Sequence, residues 1–169
     1  MNFQLSDDQR AIKRTARDLL ASRYRPETVR ELADDERGFT DEQWLELAEL
    51  GWPGVIVPEA DGGLGLGAIE LVVIQEEIGY ALAPTPLLST VSAALLLVAA
   101  GDQEQRSRWL PSLAAGETRG TVAVWDERSG WAPDGSELES VDGRLTGTKV
   151  AVADATSAEF VIVAGADHE

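Results

Sequence analysis

The sequence predicts an α+β fold, in which an N-terminal all-α helical bundle is followed by the first strands of an incomplete β-barrel-like domain. Two observations lead to this prediction. As far as Gly116, apolar residues recur at helical spacing between helix-start and helix-stop signals. Beyond Gly116 the runs are short, rich in β-branched residues and separated by turn residues. Since the helices precede the strands and do not alternate with them, the sheet is not of the Rossmann type. The chain divides into a helical domain, residues 1–116, and a partial β domain, residues 117–169.

Polar capping residues mark the predicted helix starts. Three helices begin at a capping box, in which a Ser, Thr or Asp and a Gln three residues later bond each other's backbone N–H groups: Ser6 with Gln9, Thr40 with Gln43, and Asp102 with Gln105. Pro26 can open a further helix as its first residue, and another helix is predicted over residues 68–82. The helix over residues 87–100 is apolar nearly all round, which predicts burial in a bundle or at an oligomer interface.

Four strands are predicted, over residues 121–125, 138–141, 144–152 and 159–164. The Asp-Gly pair at residues 142–143 is a strong hairpin signal. The last run ends close to the final residue of the sequence. We therefore expect a β domain whose edge strands need to be covered by further chain or by a partner.

The composition limits the classes of function. Acidic residues number 30 against 14 basic ones, a formal net charge of −16, which argues against nucleic acid and anionic membranes as partners. The chain has no cysteine and a single histidine, His168, so disulfides, thiolate metal sites and Ser-His triads are not expected. The start has no signal-peptide pattern, and the most apolar run, residues 91–100, is shorter than the ~20 residues that span a bilayer. We predict a cytoplasmic protein.

Two motifs suggest functions that the surrounding residues do not favour. The glycines of residues 62–67 could form a phosphate-binding loop, but no Lys-Ser/Thr follows and the spacing fits no dinucleotide fingerprint, so a structural turn before a helix is favoured. Acidic clusters at residues 34–36 and at Glu76 and Glu77 could serve acid-base or metal chemistry. Since both clusters lie on charge-rich helices, we interpret them as solvated faces.

Trp125 and Trp131 flank the polar loop of residues 126–130. Aromatic rings at strand ends around a Gly-Ser loop suit the stacking of a flat cofactor. They equally suit a core corner or a subunit interface, and the residues alone leave these alternatives open.

Several segments, taken in order along the chain, resemble one enzyme family. They are FQLSDDQ at residues 3–9, LGWPGVIVPE at 50–59, GGLG at 62–65, EEIG at 76–79, GDQEQ at 101–105, WLPSLAAGE at 109–117 and LTGTK at 145–149. Together they resemble the acyl-CoA dehydrogenases, and the resemblance covers the whole chain. The segments at 50–65 and 101–117 are the most specific.

The resemblance implies three domains: this helical domain, a middle β domain, and a C-terminal four-helix bundle that is absent from this chain. It implies FAD, bound between the β domain and the bundle with help from a neighbouring subunit, and α,β-dehydrogenation of an acyl-CoA thioester. A glutamate removes the α-proton, flavin N5 takes the β-hydride, and electrons pass to an electron-transfer flavoprotein. That glutamate belongs to the bundle, so no catalytic residue is assigned in this chain. A homo- or hetero-oligomer, either dimer or tetramer, is also implied.

The cofactor-binding positions implied by the resemblance are Val122, Val124, Trp125, Gly130, Trp131, Ala151 and Ala153. Some of them depart from the family pattern. Trp125 and Trp131 stand where the family has a threonine and a serine. Ala151 and Ala153 stand where it has a flavin-contacting tryptophan and threonine. The alanines lose side-chain contacts to the flavin, whereas backbone contacts do not depend on the side chain.

Three functions follow from the resemblance. The first is a divergent flavin-dependent acyl-CoA dehydrogenase. The second is a non-catalytic subunit of a heteromeric acyl-CoA dehydrogenase, which the four departures from the flavin motifs favour. The third is a flavin monooxygenase or another oxidase on the same fold.

Overall fold

The computed structural model describes residues 4–127, 138–141 and 143–165. Within these ranges the chain forms six α-helices: α1 Asp7–Arg23, α2 Pro26–Ala33, α3 Asp41–Glu49, α4 Ala68–Tyr80, α5 Leu87–Ala100 and α6 Gln103–Ala114. Four short strands are described after them: β1 Gly120–Ala123, β2 Glu139–Val141, β3 Arg144–Thr146 and β4 Phe160–Val163. Because all the described helices precede these strands, the predicted α+β class is confirmed. The division into two domains at residue 116 stays a prediction.

Local capping interactions set the ends of the helices. All three predicted capping boxes form, with side chain to backbone distances of 2.8–3.2 Å. The ends of α3 and α6 are followed by Gly51 and Gly116, whose φ angles are 73° and 71°. Glycine adopts this left-handed conformation without the penalty that a Cβ would bring. Helix α5 has the bounds that the sequence predicts.

Two clusters of buried side chains form the core. The larger cluster joins α1 to α5 through large apolar residues: Leu20, Phe39, Leu47, Val55, Leu87 and Val91. The smaller cluster lies between α5 and α6: Val57, Ala94, Leu97, Leu110, Leu113 and Ala114. Fully burying a leucine or phenylalanine stabilises the fold by about 1.5–3 kcal/mol. Phe160 and Ile162 of β4 pack on the smaller cluster, which fastens the sheet to the helices.

The Gly-rich segment before α4 is a self-contained turn. It includes two 3₁₀ turns, Trp52–Gly54 and Glu59–Asp61. The N–H groups of residues 62–66 all donate to backbone carbonyls of this segment, at 2.8–3.1 Å. The N–H of Gly67 donates to Oε2 of Glu70 at 2.9 Å. Because these donors are already used within the protein, they cannot hold a phosphate, and the structural turn is confirmed.

The sheet next to the helices is parallel. Strand β1 pairs with β4 from Gly120 opposite Phe160 to Ala123 opposite Val163. A Cβ on Gly120 would lie 2.8 Å from the Cβ of Ala93. Strand β1 therefore lies directly on α5, and glycine permits this close approach.

Strands β2 and β3 form an antiparallel hairpin in which Val141 is opposite Arg144. This pairing agrees with the hairpin signal at residues 142–143. The predicted strand over residues 144–152 is wrong beyond Thr146, where β3 ends. The reason is tertiary: the chain then turns back toward β1 and α5, with Ala151 in the left-handed region at φ 53°.

Helix α5 is buried on one side only. Leu87, Val91 and Ala94 are at most 1% exposed, whereas Leu88 and Leu95 are 59% and 49% exposed. The predicted burial of α5 is therefore confirmed for the side that carries Leu87, Val91 and Ala94, whereas the side that carries Leu88 and Leu95 is exposed in this chain. Among the described residues, no helix has the length and apolar character needed to cross a membrane.

Candidate functional site

Two of the segments that carry candidate cofactor positions meet at the end of β1. The N–H of Val150 donates to the carbonyl oxygen of Trp125 at 2.8 Å. The neighbouring residues Asp126 and Lys149 form an isolated antiparallel bridge. Trp125 therefore lies beside the stretch that contains Ala151 and Ala153, although 25 residues separate the two segments in sequence.

A buried ion pair closes this junction. The Nζ of Lys149 lies 2.8 Å from Oδ2 of Asp126, and the two side chains are only 7% and 3% exposed. The same Nζ donates to the carbonyl oxygen of Val124 at 3.0 Å. One ammonium group thus joins the segment at residue 149 to two positions at the end of β1.

The other end of the segment is held by β1 and α5. The hydroxyl of Thr121 donates to the carbonyl oxygen of Ala153 at 2.6 Å. The hydroxyl of Ser89 donates to Oδ2 of Asp154 at 2.5 Å. Asp154 has a φ of 51°, a conformation that asparagine and aspartate tolerate better than most residues. We call residues 149–154 the anchored segment, since both of its ends are bonded to other elements.

Between its two ends, the anchored segment has backbone N–H donors that are not used within the described part of the chain. Ala151 and Ala153 are exposed, and Val152 is partly exposed. In the part of the chain that the structure describes, the N–H groups of residues 151–153 have no acceptor. A backbone N–H is a strong donor whatever its side chain. The segment can therefore bind the carbonyl oxygens or ring nitrogens of a flat polar ligand.

Val122 and Val124 present their side chains to a different surface. Thr121 and Ala123 are buried on one face of β1, and since side chains alternate along a strand, Val122 and Val124 lie on the opposite face. There they line an apolar groove of about 510 Å³, together with Leu96, Trp109, Phe160 and Ile162. The structure therefore places Val150 beside Trp125 and Ala153 beside Thr121, and it separates the side chains of Val122 and Val124 from the anchored segment.

Gly130 and Trp131 lie outside the described residues. Trp125 is partly buried. The stacking of Trp125 on a flat cofactor stays a prediction, as do its alternatives, a corner of the core and a subunit interface.

Glu77 on α4 is a buried carboxylate that the sequence interpretation missed. It is 1% exposed and accepts two hydrogen bonds from Arg17 of α1, at 2.7 and 2.9 Å. Lys13 Nζ lies 3.5 Å away. The hydrogen bonds from Arg17 lower the pKa of Glu77, outweighing the effect of burial. Its spacing from Ile74, three residues earlier on the same apolar face, was the available signal.

The interpretation of the acidic clusters as solvated faces is therefore wrong for Glu77, because its charge is paired in the interior. It holds for Glu76, whose side chain is 58% exposed, and for residues 34–36, which are exposed. No group of three metal-binding side chains is found among the described residues. The Glu77 cluster joins α1 to α4 and lies on different elements from the anchored segment.

Comparison with known proteins identifies the scaffold. Residues 6–117 match the sequence model described as the N-terminal domain of acyl-CoA dehydrogenase. The chain belongs to the acyl-CoA dehydrogenase family. The matched region runs from the cap of α1 to just beyond α6, so it covers the helices α1 to α6 of this chain.

Individual relatives agree with this assignment. The chain is 34% identical to acyl-CoA dehydrogenase IpdE2 of Mycolicibacterium smegmatis, over 70% of this chain and 37% of that protein. The Tcur3481-Tcur3483 steroid ACAD superposes with a TM-score of 0.84 at 34% identity, over 93% of this chain and 44% of that one. The ChsE4-ChsE5 complex of Mycobacterium tuberculosis has a TM-score of 0.83 at 29% identity, over 95% and 44%. The chain thus spans less than half the length of these relatives.

Proposed function

We propose that this chain is part of a flavin-dependent acyl-CoA dehydrogenase, which introduces an α,β double bond into an acyl-CoA thioester. Family membership over residues 6–117 supports the reaction class. The observation that carries the proposal is the anchored segment beside Trp125, with free N–H groups at residues 151–153. Trp125, Ala151 and Ala153 are positions at which the family resemblance places flavin contacts.

The residues present fit FAD through their main chain. Flavin ring oxygens and nitrogens accept hydrogen bonds, and the N–H groups of residues 151–153 are available donors. The side chains of Ala151 and Ala153 are small and exposed. When bound, FAD supplies the hydride acceptor of the reaction. The chain's own contribution is to bind and orient the ring.

The described residues near this site contribute position, not proton transfer. Asp126 is paired with Lys149, and Asp154 is bonded to Ser89. The family resemblance assigns removal of the α-proton to a glutamate of the C-terminal bundle. The base that removes the α-proton is therefore proposed to lie outside the described residues.

A second candidate function is that of a non-catalytic subunit in a heteromeric acyl-CoA dehydrogenase. It is favoured by Ala151 and Ala153, which lack the flavin-contacting side chains of the family, and by Trp125 in place of a threonine. Two of the similar solved structures have names with two different chains, the Tcur3481-Tcur3483 steroid ACAD and the ChsE4-ChsE5 complex. Under either function we propose an oligomer, an acyl-CoA substrate and an electron-transfer flavoprotein as electron acceptor. A cytoplasmic location and the absence of nucleic-acid and membrane partners stay predictions.

One experiment distinguishes the two functions. The protein at its native length is purified alone and after co-expression with a catalytically competent acyl-CoA dehydrogenase chain from the same source. Bound flavin is measured by its visible absorbance, and turnover by the reduction of an artificial electron acceptor with a panel of acyl-CoA thioesters. Flavin and turnover in the protein alone support the first function. Flavin and turnover only in the co-expressed complex support the second, and no flavin in either preparation contradicts both.

A further inference from the structure

The Lys149–Asp126 pair joins the two chain segments of the candidate cofactor site. Its atoms are 2.8 Å apart and both side chains are more than nine-tenths buried. Lys149 also donates to the carbonyl oxygen of Val124 at 3.0 Å. The residue after Lys149 donates its N–H to Trp125, so side-chain and main-chain bonds act on adjacent residues of the same short bridge.

Stability alone does not explain a buried pair of this kind. Removing two charges from water costs free energy that their attraction often fails to recover, and well-packed apolar residues of similar volume are frequently as stable or more so. A buried ion pair does, however, favour one alignment of the groups that it joins, since any other alignment leaves a buried charge without a partner. Here the alignment concerns residues 149–153 against residues 124–126.

We propose that Lys149 and Asp126 are positioning residues for the flavin. They hold the anchored segment in the register that places residues 150–153 alongside residues 121–125, without themselves touching the ring. The bonds from Thr121 and Ser89 hold the far end of the same segment. This inference rests on the proposed function, because it concerns the cofactor that the function requires.

The test replaces the pair by apolar residues of similar size in the protein at its native length, with its partner chain if one is needed for flavin binding. In the double variant Lys149→Met/Asp126→Leu no buried charge is left alone, so we expect it to fold with an unfolding temperature close to that of the wild type. We expect its affinity for FAD to fall on the order of tenfold, as happens when residues that orient metal ligands are lost. The circular dichroism of the bound flavin and its reduction potential should also change.

A matched control is the double variant Arg106→Met/Asp61→Leu. This pair also joins two elements, at 2.7 Å, but it lies between α6 and the second 3₁₀ turn. We expect FAD affinity and reduction potential in the control to equal those of the wild type. If the Lys149→Met/Asp126→Leu variant does not fold, Asp126→Glu replaces it. This substitution keeps both charges, but the longer side chain moves the carboxylate and its ammonium partner by about the length of one methylene group. The same loss of FAD affinity is expected.

The outcomes are separable. Suppose that the wild-type protein binds FAD and that the Lys149→Met/Asp126→Leu variant has the same FAD affinity, flavin circular dichroism and reduction potential. This result would overturn the positioning role and leave the proposed function intact. An equal loss in the Arg106→Met/Asp61→Leu control would also overturn it, since the effect would then be one of general destabilisation. A wild-type protein that binds no FAD under any condition overturns both the inference and the proposed function.

Discussion

Replacing Gly63 by alanine should destabilise the turn between α3 and α4. The backbone conformation at Gly63 is not the obstacle, because its φ is not in the positive range. The obstacle is space: an added Cβ would lie 2.1 Å from the carbonyl oxygen and 2.4 Å from the Cβ of Val57. Real Cβ contacts are no closer than 3.0 Å. The backbone at Gly63 and that at Val57 must therefore separate by roughly 0.9 Å to relieve the repulsion.

The size of the effect follows from the bonds that this separation strains. The N–H of Gly63 itself, and those of the next three residues, donate to carbonyl oxygens of the same turn at 2.8–3.1 Å. At about 0.5–1.5 kcal/mol for each hydrogen bond, the loss of two or three of them costs ~1–4 kcal/mol. Val57 is fully buried, so any exposure that follows adds to this cost.

The assay is urea unfolding of the native-length protein, followed by tryptophan fluorescence and far-ultraviolet circular dichroism. The matched control is Gly79→Ala in α4, where no heavy atom lies within 4 Å of the added Cβ. Because alanine is the better helix former, the control should be more stable than the wild type by about 0.5–1 kcal/mol. A Gly63→Ala variant within about 1 kcal/mol of the wild type would contradict the steric argument.

Three further predictions concern the helical part. The pKa of Glu77 is below its ordinary value of 4.5. The ionised side chain therefore stabilises the fold at pH values above 4.5, and this stabilisation is lost as the pH falls through the lowered pKa. In the Glu77→Gln variant, the urea midpoint of unfolding should depend less on pH between about pH 5 and about pH 3 than in the wild type. An unchanged pH dependence would contradict this. Arg17→Met leaves the Glu77 carboxylate buried with only a weaker partner. It should lower the unfolding temperature more than Arg23→Met, because the carboxylate that pairs with Arg23 is 28% exposed whereas that of Glu77 is 1% exposed. Equal effects of the two substitutions would exclude this explanation. Trp44→Phe removes the 2.7 Å hydrogen bond from Nε1 to the carbonyl oxygen of Gly116. It should lower the free energy of unfolding in urea by ~1–3 kcal/mol. A stability equal to that of the wild type would refute a role for this bond.

The candidate site shows how far the sequence leads. The positions of Trp125, Ala151 and Ala153 came from segments that resemble a family, and the structure brings these segments together, with Val150 bonded to Trp125 and Ala153 to Thr121. The sequence also put Val122 and Val124 in the same set, but their side chains line a groove on the other face of β1. A strand alternates its side chains, so neighbouring positions in a motif need not share a surface.

The features that could be predicted from the amino-acid sequence are local. The capping boxes, the glycines after α3 and α6, and the bounds of α5 depend on interactions among residues a few positions apart, which a short segment already contains. The ordered motifs likewise indicated the acyl-CoA dehydrogenase family, because they lie in the same order along the chain.

The contacts between distant segments became known from the folded structure alone. Glu77 is buried because Arg17, 60 residues earlier, supplies its counter-charge. The stretch after β3 leaves the strand conformation because Asp126 and Ser89, distant in sequence, bond to its two ends. Strand β1 pairs in parallel with β4 across 40 residues. Such contacts depend on the arrangement of whole elements, and no local pattern of residues encodes which partner will be present.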